Sequence, residues 1–316
     1  MSTSTFEDLR RALFRAHGEG RYEEALAAAR EAWRRFPEHE ARAAYWVACL
    51  LCRVGDPAGA LRVLLTARSR GHWWGEGLLL KDPDLEPLWG RTEFLRLAEE
   101  RQRVHRAAQA AAKPRVLVLR PDVLPPASPH PLLLVLHSRG GSAAECAPHF
   151  ASAASWGWIV ALAQGTQLEG EEMYTWDEPA QAERDVAWAY ADVVQSQPVD
   201  RGRAVLAGVS QGGELAIRLA LTGAPIPACG FIAVVPSSRG TEAALARAPH
   251  AARRGVRGWI LTGDKDPRVG KVRDLHELLV HAGLTCQLTV VPGLGHEIPE
   301  DLPARLAWAL EFVTSL

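Results

Sequence analysis

One serine stands at the junction of two different grammars. An aliphatic run ends in Gly208-Val209-Ser210-Gln211-Gly212, and an amphipathic stretch begins at once. A tight strand-to-helix turn forces its central residue into a strained backbone, and glycine two residues either side lets strand and helix approach without side-chain collision. A serine hydroxyl is a poor nucleophile until a base takes its proton, so this reading requires a histidine oriented by a carboxylate. Downstream, Gly263-Asp264-Lys265-Asp266-Pro267 follows the run GWILT, and Gly293-Leu294-Gly295-His296 precedes a final amphipathic stretch. The base is therefore expected at His296 and the acid at Asp264 or Asp266. Glu242 is a weaker alternative, better suited to starting a helix. His276 and His281 lie in a helical run and suit packing or surface positions.

Acyl chemistry needs two donors aimed at a developing oxyanion. The backbone amide of Gln211 supplies one. The loop His137-Ser138-Arg139-Gly140-Gly141 offers the other, assigned to the amide of Arg139, while His137 ends a buried run and is read as structural. Between 164 and 179, Met173, Tyr174 and Trp176 sit among acidic residues. A solvated loop that packs one or two aromatics accounts for this pattern, and so does a substrate-side wall built from Tyr174 and Trp176.

The elements that must position these residues follow from hydrophobic period. Strands are predicted at 116–119, 132–137, 158–163, 204–208, 230–235, 258–262 and 287–291, with helices at 143–156, 180–195, 211–222, 271–282 and 302–313. This alternation predicts an α/β architecture with a mainly parallel sheet covered by helices. The proline-rich segment 121–131, PDVLPPASPHP, suits only a surface connection. Residues 1–112 differ: they are rich in Ala, Leu, Arg and Glu at helical spacing, and predict an all-α domain of helical hairpins ahead of a catalytic domain at 113–316.

That first domain contains an echo at a spacing of 35 residues, in which Gly20, Ala25, Leu26 and Ala32 recur as Gly55, Ala60, Leu61 and Ala67. It resembles a tetratricopeptide repeat pair. Pro37 falls where such a repeat ends its second helix, and His72 takes the equivalent place in the second copy. The resemblance implies a role in domain packing or in binding a protein partner. Cys49-x-x-Cys52 has no second pair and no histidine at ligand spacing, so both are read as buried small hydrophobes rather than metal ligands.

The second domain resembles the α/β-hydrolases of the phospholipase/carboxylesterase type, which include acyl-protein thioesterases and dienelactone-hydrolase-like esterases. LHSRGGSAAE is similar to their oxyanion loop, GVSQGG to their nucleophile elbow, GDKDPRV to their acid loop, and GLGHEIP to their histidine loop. YTWDEP is similar to a substrate-side loop of some members. The family's Gly-x-x-Asp-x-x-Val pattern selects Asp266 over Asp264. One departure is Ser138, where the family carries glycine. The resemblance implies a serine esterase or thioesterase with Ser210, Asp266 and His296 as its catalytic set, acting on a small acyl ester or thioester with no cofactor and no metal. A non-catalytic adaptor and a serine peptidase are the alternatives. With 36 basic and 37 acidic residues the net charge is −1, which excludes a large basic field for nucleic acid. The longest aliphatic run is too short to span a membrane, and no secretory leader or disulfide framework is recognisable in the five cysteines and the amino-terminal residues, so the expected location is cytoplasmic.

Overall fold

The structure is a computed structural model that describes residues 4–121, 129–237 and 242–315. Most of the proline-rich connection predicted at 121–131 lies outside these residues. The chain divides into two compact units: residues 1–112 with 168–173, and residues 113–167 with 174–316.

The first unit carries α1 (Phe6–Gly18), α2 (Tyr22–Arg35), α3 (Glu40–Arg53), α4 (Pro57–Ser69), α5 (Glu76–Lys81) and α6 (Thr92–Ala111), with short 3-10 turns at 37–39 and 83–88. Local chemistry starts these helices. Thr5 and Asp8 form a reciprocal capping box at α1, and Asp56 accepts from the Gly59 amide one residue ahead of Pro57 at α4. The 35-residue echo has a physical basis. Gly20 (φ 74°) and Gly55 (φ 84°) both take the left-handed conformation just beyond α1 and α3, and Ala25, Ala60, Ala32 and Ala67 are buried where neighbouring helices approach closely. Helix α3 is buried from Ala41 to Cys52, and Trp74 is fully buried with its indole N–H donating to the Ala41 carbonyl at 2.8 Å. Burial and the nearby Asp82 and Asp84 push the Cys49 thiol well up, and burial with Asp84 pushes that of Cys52 to about 11, which leaves both protonated at neutral pH.

The second unit is built on a seven-stranded sheet of order β1-β3-β2-β6-β7-β8-β9, where β1 is Arg115–Leu119, β2 His130–Leu136, β3 Ile159–Gln164, β6 Val199–Val209, β7 Gly230–Val234, β8 Arg257–Gly263 and β9 Thr285–Val291. All pairings are parallel except that β1 runs antiparallel to β3 at the edge. Strand β2 is buried along its whole length, and its side chains alternate between two cores. Leu132, Leu134 and Leu136 face a core shared with α9 (Pro179–Ser196), α10 (Gln211–Thr222), α12 (Ala248–Arg253) and α13 (Val269–His281). Leu133 and Val135 face the other, with α7 (Ala143–Phe150), α8 (Ser152–Ser155) and α14 (Leu302–Thr314). A further short helix, α11, spans Glu242–Leu245.

Several elements differ from the sequence reading, which predicted no helix at α11 or α12. The helix predicted at 143–156 is broken at Ala151 into α7 and α8, one turn after Pro148, which has no N–H to donate to the ladder. The segment at 164–179 is not irregular throughout: β4 (Gln167–Gly170) and β5 (Met173–Thr175) form a hairpin. Its tip, residues 168–173, belongs to the helical unit, which adds to the division at residue 112 a short return of the chain. The hairpin was illegible because its strands are only four and three residues long and β4, Gln-Leu-Glu-Gly, carries no β-branched residue. Its turn instead rests on distant partners, with the Arg42 guanidinium donating to the carbonyl of Glu172, itself at φ 56°.

Candidate active site

Four loops at the carboxyl ends of β2, β6, β8 and β9 carry the residues singled out in the sequence. In such a sheet this edge is where ligands bind, at the point where strand order reverses, which here is between β2 and β6. Ser210 follows β6 directly and caps α10 at φ 54° and ψ −114°, a region that costs a non-glycine residue on the order of 1–3 kcal/mol. The surroundings impose it. The Ser210 amide donates to the Val234 carbonyl at 2.9 Å, and its own carbonyl accepts from the amides of Glu214 and Ser237, both at 3.0 Å. Both flanking glycines are required by contact rather than by φ. A Cβ on Gly212 would overlap the carbonyls of Leu136 and His137, and one on Gly208 would overlap the backbone of Gly212.

The Ser210 Oγ lies 2.9 Å from His296 Nε2, and His296 Nδ1 lies 2.7 Å from Asp266 Oδ2. A carboxylate can only accept, so Nδ1 carries the proton and Nε2 is left to accept from the serine hydroxyl. Asp266 is 1% exposed, with Thr262 Oγ1 beneath it at 3.4 Å and the Arg268 amide donating to its other oxygen at 2.9 Å. Burial opposes ionisation of this carboxyl, but the hydrogen bond and charge of His296, followed by the amide and guanidinium of Arg268, outweigh it and hold its pKa below the usual aspartate value. Asp264 has a different place. It is exposed and accepts from the Gly293 amide at 2.7 Å, tying the acid loop to the histidine loop. The Lys265 amide donates to Leu294 at 3.0 Å in the same seam, and a Cβ on Gly263 would overlap the Leu294 carbonyl.

The loop after β2 turns through Gly140 at φ 67°, so the left-handed residue is a glycine, and Ser138 is not among the described residues with positive φ. The Gly140 amide donates to the Tyr174 carbonyl at 2.7 Å, and that of Gly141 to Ser138 at 3.0 Å, which fixes the turn that carries Arg139. His137 is fully buried. Its Nε2 accepts from the Gly165 amide at 3.2 Å, so Nδ1 donates to the Ser138 carbonyl at 2.9 Å. Trp176, 4% exposed, stacks on that imidazole at 4.4 Å between centroids and donates its indole N–H to the His137 carbonyl at 2.9 Å. Tyr174 is only partly buried. Sequence reasoning missed three side chains here, those of Thr262 under Asp266, Asp177 and Gln211. No local pattern marks them, apart from the acids and aromatics crowded into 171–178.

No family model matches this chain, and no curated protein matches it either. Among solved structures, the chain is similar to an uncharacterized protein from Bacillus cereus ATCC 10987, at 19% identity and a TM-score of 0.56 over 98% of this chain and 99% of that one. It is also similar to esterase PE8, at 18% identity and a TM-score of 0.52 over 63% of this chain and 99% of that one. The fold is that of an α/β-hydrolase, with an amino-terminal helical region. The likeness to the esterase covers a share of the chain equal to the hydrolase-type unit, whereas the likeness to the Bacillus cereus protein extends over both units. Within a hydrolase fold, a strained serine joined through imidazole to a buried ionised carboxylate can deliver an alkoxide-like nucleophile to a carbonyl and return the proton to the leaving group. No helix among the described residues is long and apolar enough to cross a membrane.

Proposed function

We propose that the chain is a serine hydrolase that transfers an acyl group from a small ester or thioester to water through an acyl-enzyme on Ser210. The observation that carries this reading is the unbroken hydrogen-bonded path from Ser210 Oγ through His296 to Asp266. His296 takes the serine proton as Oγ attacks, then gives it to the departing alcohol or thiol; water repeats the cycle on the acyl-enzyme. Asp266 holds the tautomer and supports the imidazolium. The oxyanion is received by the amides of Gln211, at the start of α10, and of Arg139. Tyr174 borders the acyl side of the site, and Trp176 supports it from beneath by fixing His137 and the oxyanion loop. The helical unit is read as a tetratricopeptide-like pair, supported by the equivalent left-handed glycines at 20 and 55 and the buried alanines that follow them.

The test is labelling with a fluorophosphonate and hydrolysis of p-nitrophenyl acetate by wild type and Ser210→Ala. We expect labelling at Ser210 alone and a loss of at least about 10³-fold in turnover, with folding intact because the glycines, not the hydroxyl, permit the turn. Retention of a tenth of the activity would remove Ser210 from its role. An aminoacyl p-nitroanilide run in parallel separates esterase from peptidase activity.

A further inference from the structure

The two residues whose backbone amides are assigned to the oxyanion lie far apart in the chain, yet their side chains end on one atom. Asp177 Oδ1 accepts from the Arg139 guanidinium at 2.8 Å and from the Gln211 carboxamide Nε2 at 2.8 Å. The orientation of that carboxamide is not arbitrary. The Trp176 amide can only donate, and it points at Gln211 Oε1 at 3.0 Å, where Thr175 Oγ1 also donates at 3.0 Å; the amino group of Gln211 must therefore face Asp177.

Asp177 and Arg139 are 43% and 47% exposed, and an exposed ion pair adds little to stability. What distinguishes this one is the backbone beneath it. On one side of Asp177, Trp176 is buried and hydrogen-bonded to the His137 carbonyl. On the other, the Glu178 amide donates to Gln167 Oε1 at 2.6 Å and its carbonyl accepts from Gln167 Nε2 at 3.1 Å. The segment 174–178 is thus pinned along its length, with Tyr174 exchanging backbone bonds with Gly140 and Gly141. A carboxylate held on a fixed backbone sets the positions of both groups that bind it.

We propose that Asp177 is a positioning residue: it fixes the separation of the Arg139 and Gln211 amides, so that both address the oxyanion at once. The inference rests on the ester-hydrolase reading above. An oxyanion donor acts mainly on the transition state, where small displacements matter, so loosening this clamp lowers kcat while leaving substrate binding nearly untouched.

The experiment compares wild type, Asp177→Ala, Asp177→Asn, Gln211→Ala and the double variant Asp177→Ala/Gln211→Ala on p-nitrophenyl butyrate. Rates are expressed per site labelled by fluorophosphonate, so that a loss of folded protein does not register as a loss of rate. We expect Asp177→Ala to lower kcat by about 10-fold with KM within about twofold, and Asp177→Asn, which keeps an acceptor oxygen in the same place, to recover most of it. The Asp177→Ala and Gln211→Ala losses are expected to be far from additive, because each breaks the same clamp. A wild-type kcat for Asp177→Ala, a rise confined to KM, or strictly additive losses would overturn the proposal. Should Asp177→Ala not fold, Asp177→Ser, whose shorter side chain withdraws the acceptor from both groups, carries the same comparison alone and combined with Gln211→Ala. Failure of the underlying reading is separate: it appears as undiminished hydrolysis by Ser210→Ala, whatever Asp177 does.

Discussion

Asp264 and Asp266 are two residues apart, yet one is a solvated tie between loops and the other a buried charge against an imidazole. Their substitutions are therefore expected to separate. Asp266→Asn keeps one oxygen, which the Arg268 amide claims, so its amino group faces Nδ1 and reverses the His296 tautomer; turnover should fall by on the order of 10³–10⁴-fold. Asp264→Asn keeps an oxygen to receive the Gly293 amide and should cost less than about 5-fold, in line with a spared polar contact. Steady-state kinetics on both variants checks the ranking, and the reverse order would shift the acid by two residues. Acid stability offers a second check. Because the folded pKa of Asp266 is lowered, the stability it contributes is complete above the ordinary aspartate value of about 3.9 and is lost as pH falls through the lower folded value. The stability gap between wild type and Asp266→Asn should accordingly narrow between urea titrations at pH 7 and pH 3. Sequence alone placed both aspartates on one loop; it was resemblance that chose between them, since spacing does not say which carboxyl is shielded from water.

At the scale of elements, the site depends on how closely β6 and α10 approach β2. Gly212 sits against the Leu136 and His137 carbonyls with no space for a methyl group. Gly212→Ala should destabilise the protein by about 1–3 kcal/mol through overpacking, and should also displace the proposed oxyanion loop that begins at His137. Urea unfolding and ester kinetics on the same samples check this, the expected result being a rate loss larger than the unfolded fraction explains. These elements were legible because a strand buried on both faces reads as an unbroken aliphatic run, and LLLVL does so. The hairpin β4–β5 was not, because its conformation is held by Arg42, 130 residues away, rather than by its own propensities.

On the scale of the whole molecule, residues 168–173 connect the two units covalently while belonging to the helical one. Beyond the hairpin's own pairing they are held by partners in 1–112: Gly75 donates to the Glu169 carbonyl at 2.6 Å, Gln109 accepts from the Leu168 amide at 2.8 Å, His105 donates to the Leu168 carbonyl at 2.7 Å, and Met173 is buried in the helical core. A chain beginning at Lys113 keeps Ser210, Asp266, His296 and the proposed oxyanion donors but strips this segment of every one of those partners. It should be cut by a glutamyl endopeptidase after Glu169, Glu171 or Glu172 much faster than the full chain, as an unsupported loop is. Limited proteolysis read by mass spectrometry checks it, and equal cleavage rates would mean that the segment does not need the helices. Tyr174 to Asp177 follow directly in sequence, so the truncation is also expected to lower ester turnover, measured per fluorophosphonate-labelled site.

The tight turn at Ser210, the buried strands and the left-handed glycines of the helical echo were determined by the sequence itself, because each is a local requirement of backbone conformation or hydrophobic period that restricts which residues can stand there. The antiparallel edge strand β1, the hairpin tip shared out to the helical unit and the meeting of Arg139 and Gln211 on Asp177 were decided only by the tertiary structure. In each of those cases the stabilising partner is tens of residues away, and a hydrogen bond or a strand pairing between distant segments leaves no period and no composition behind in either of them.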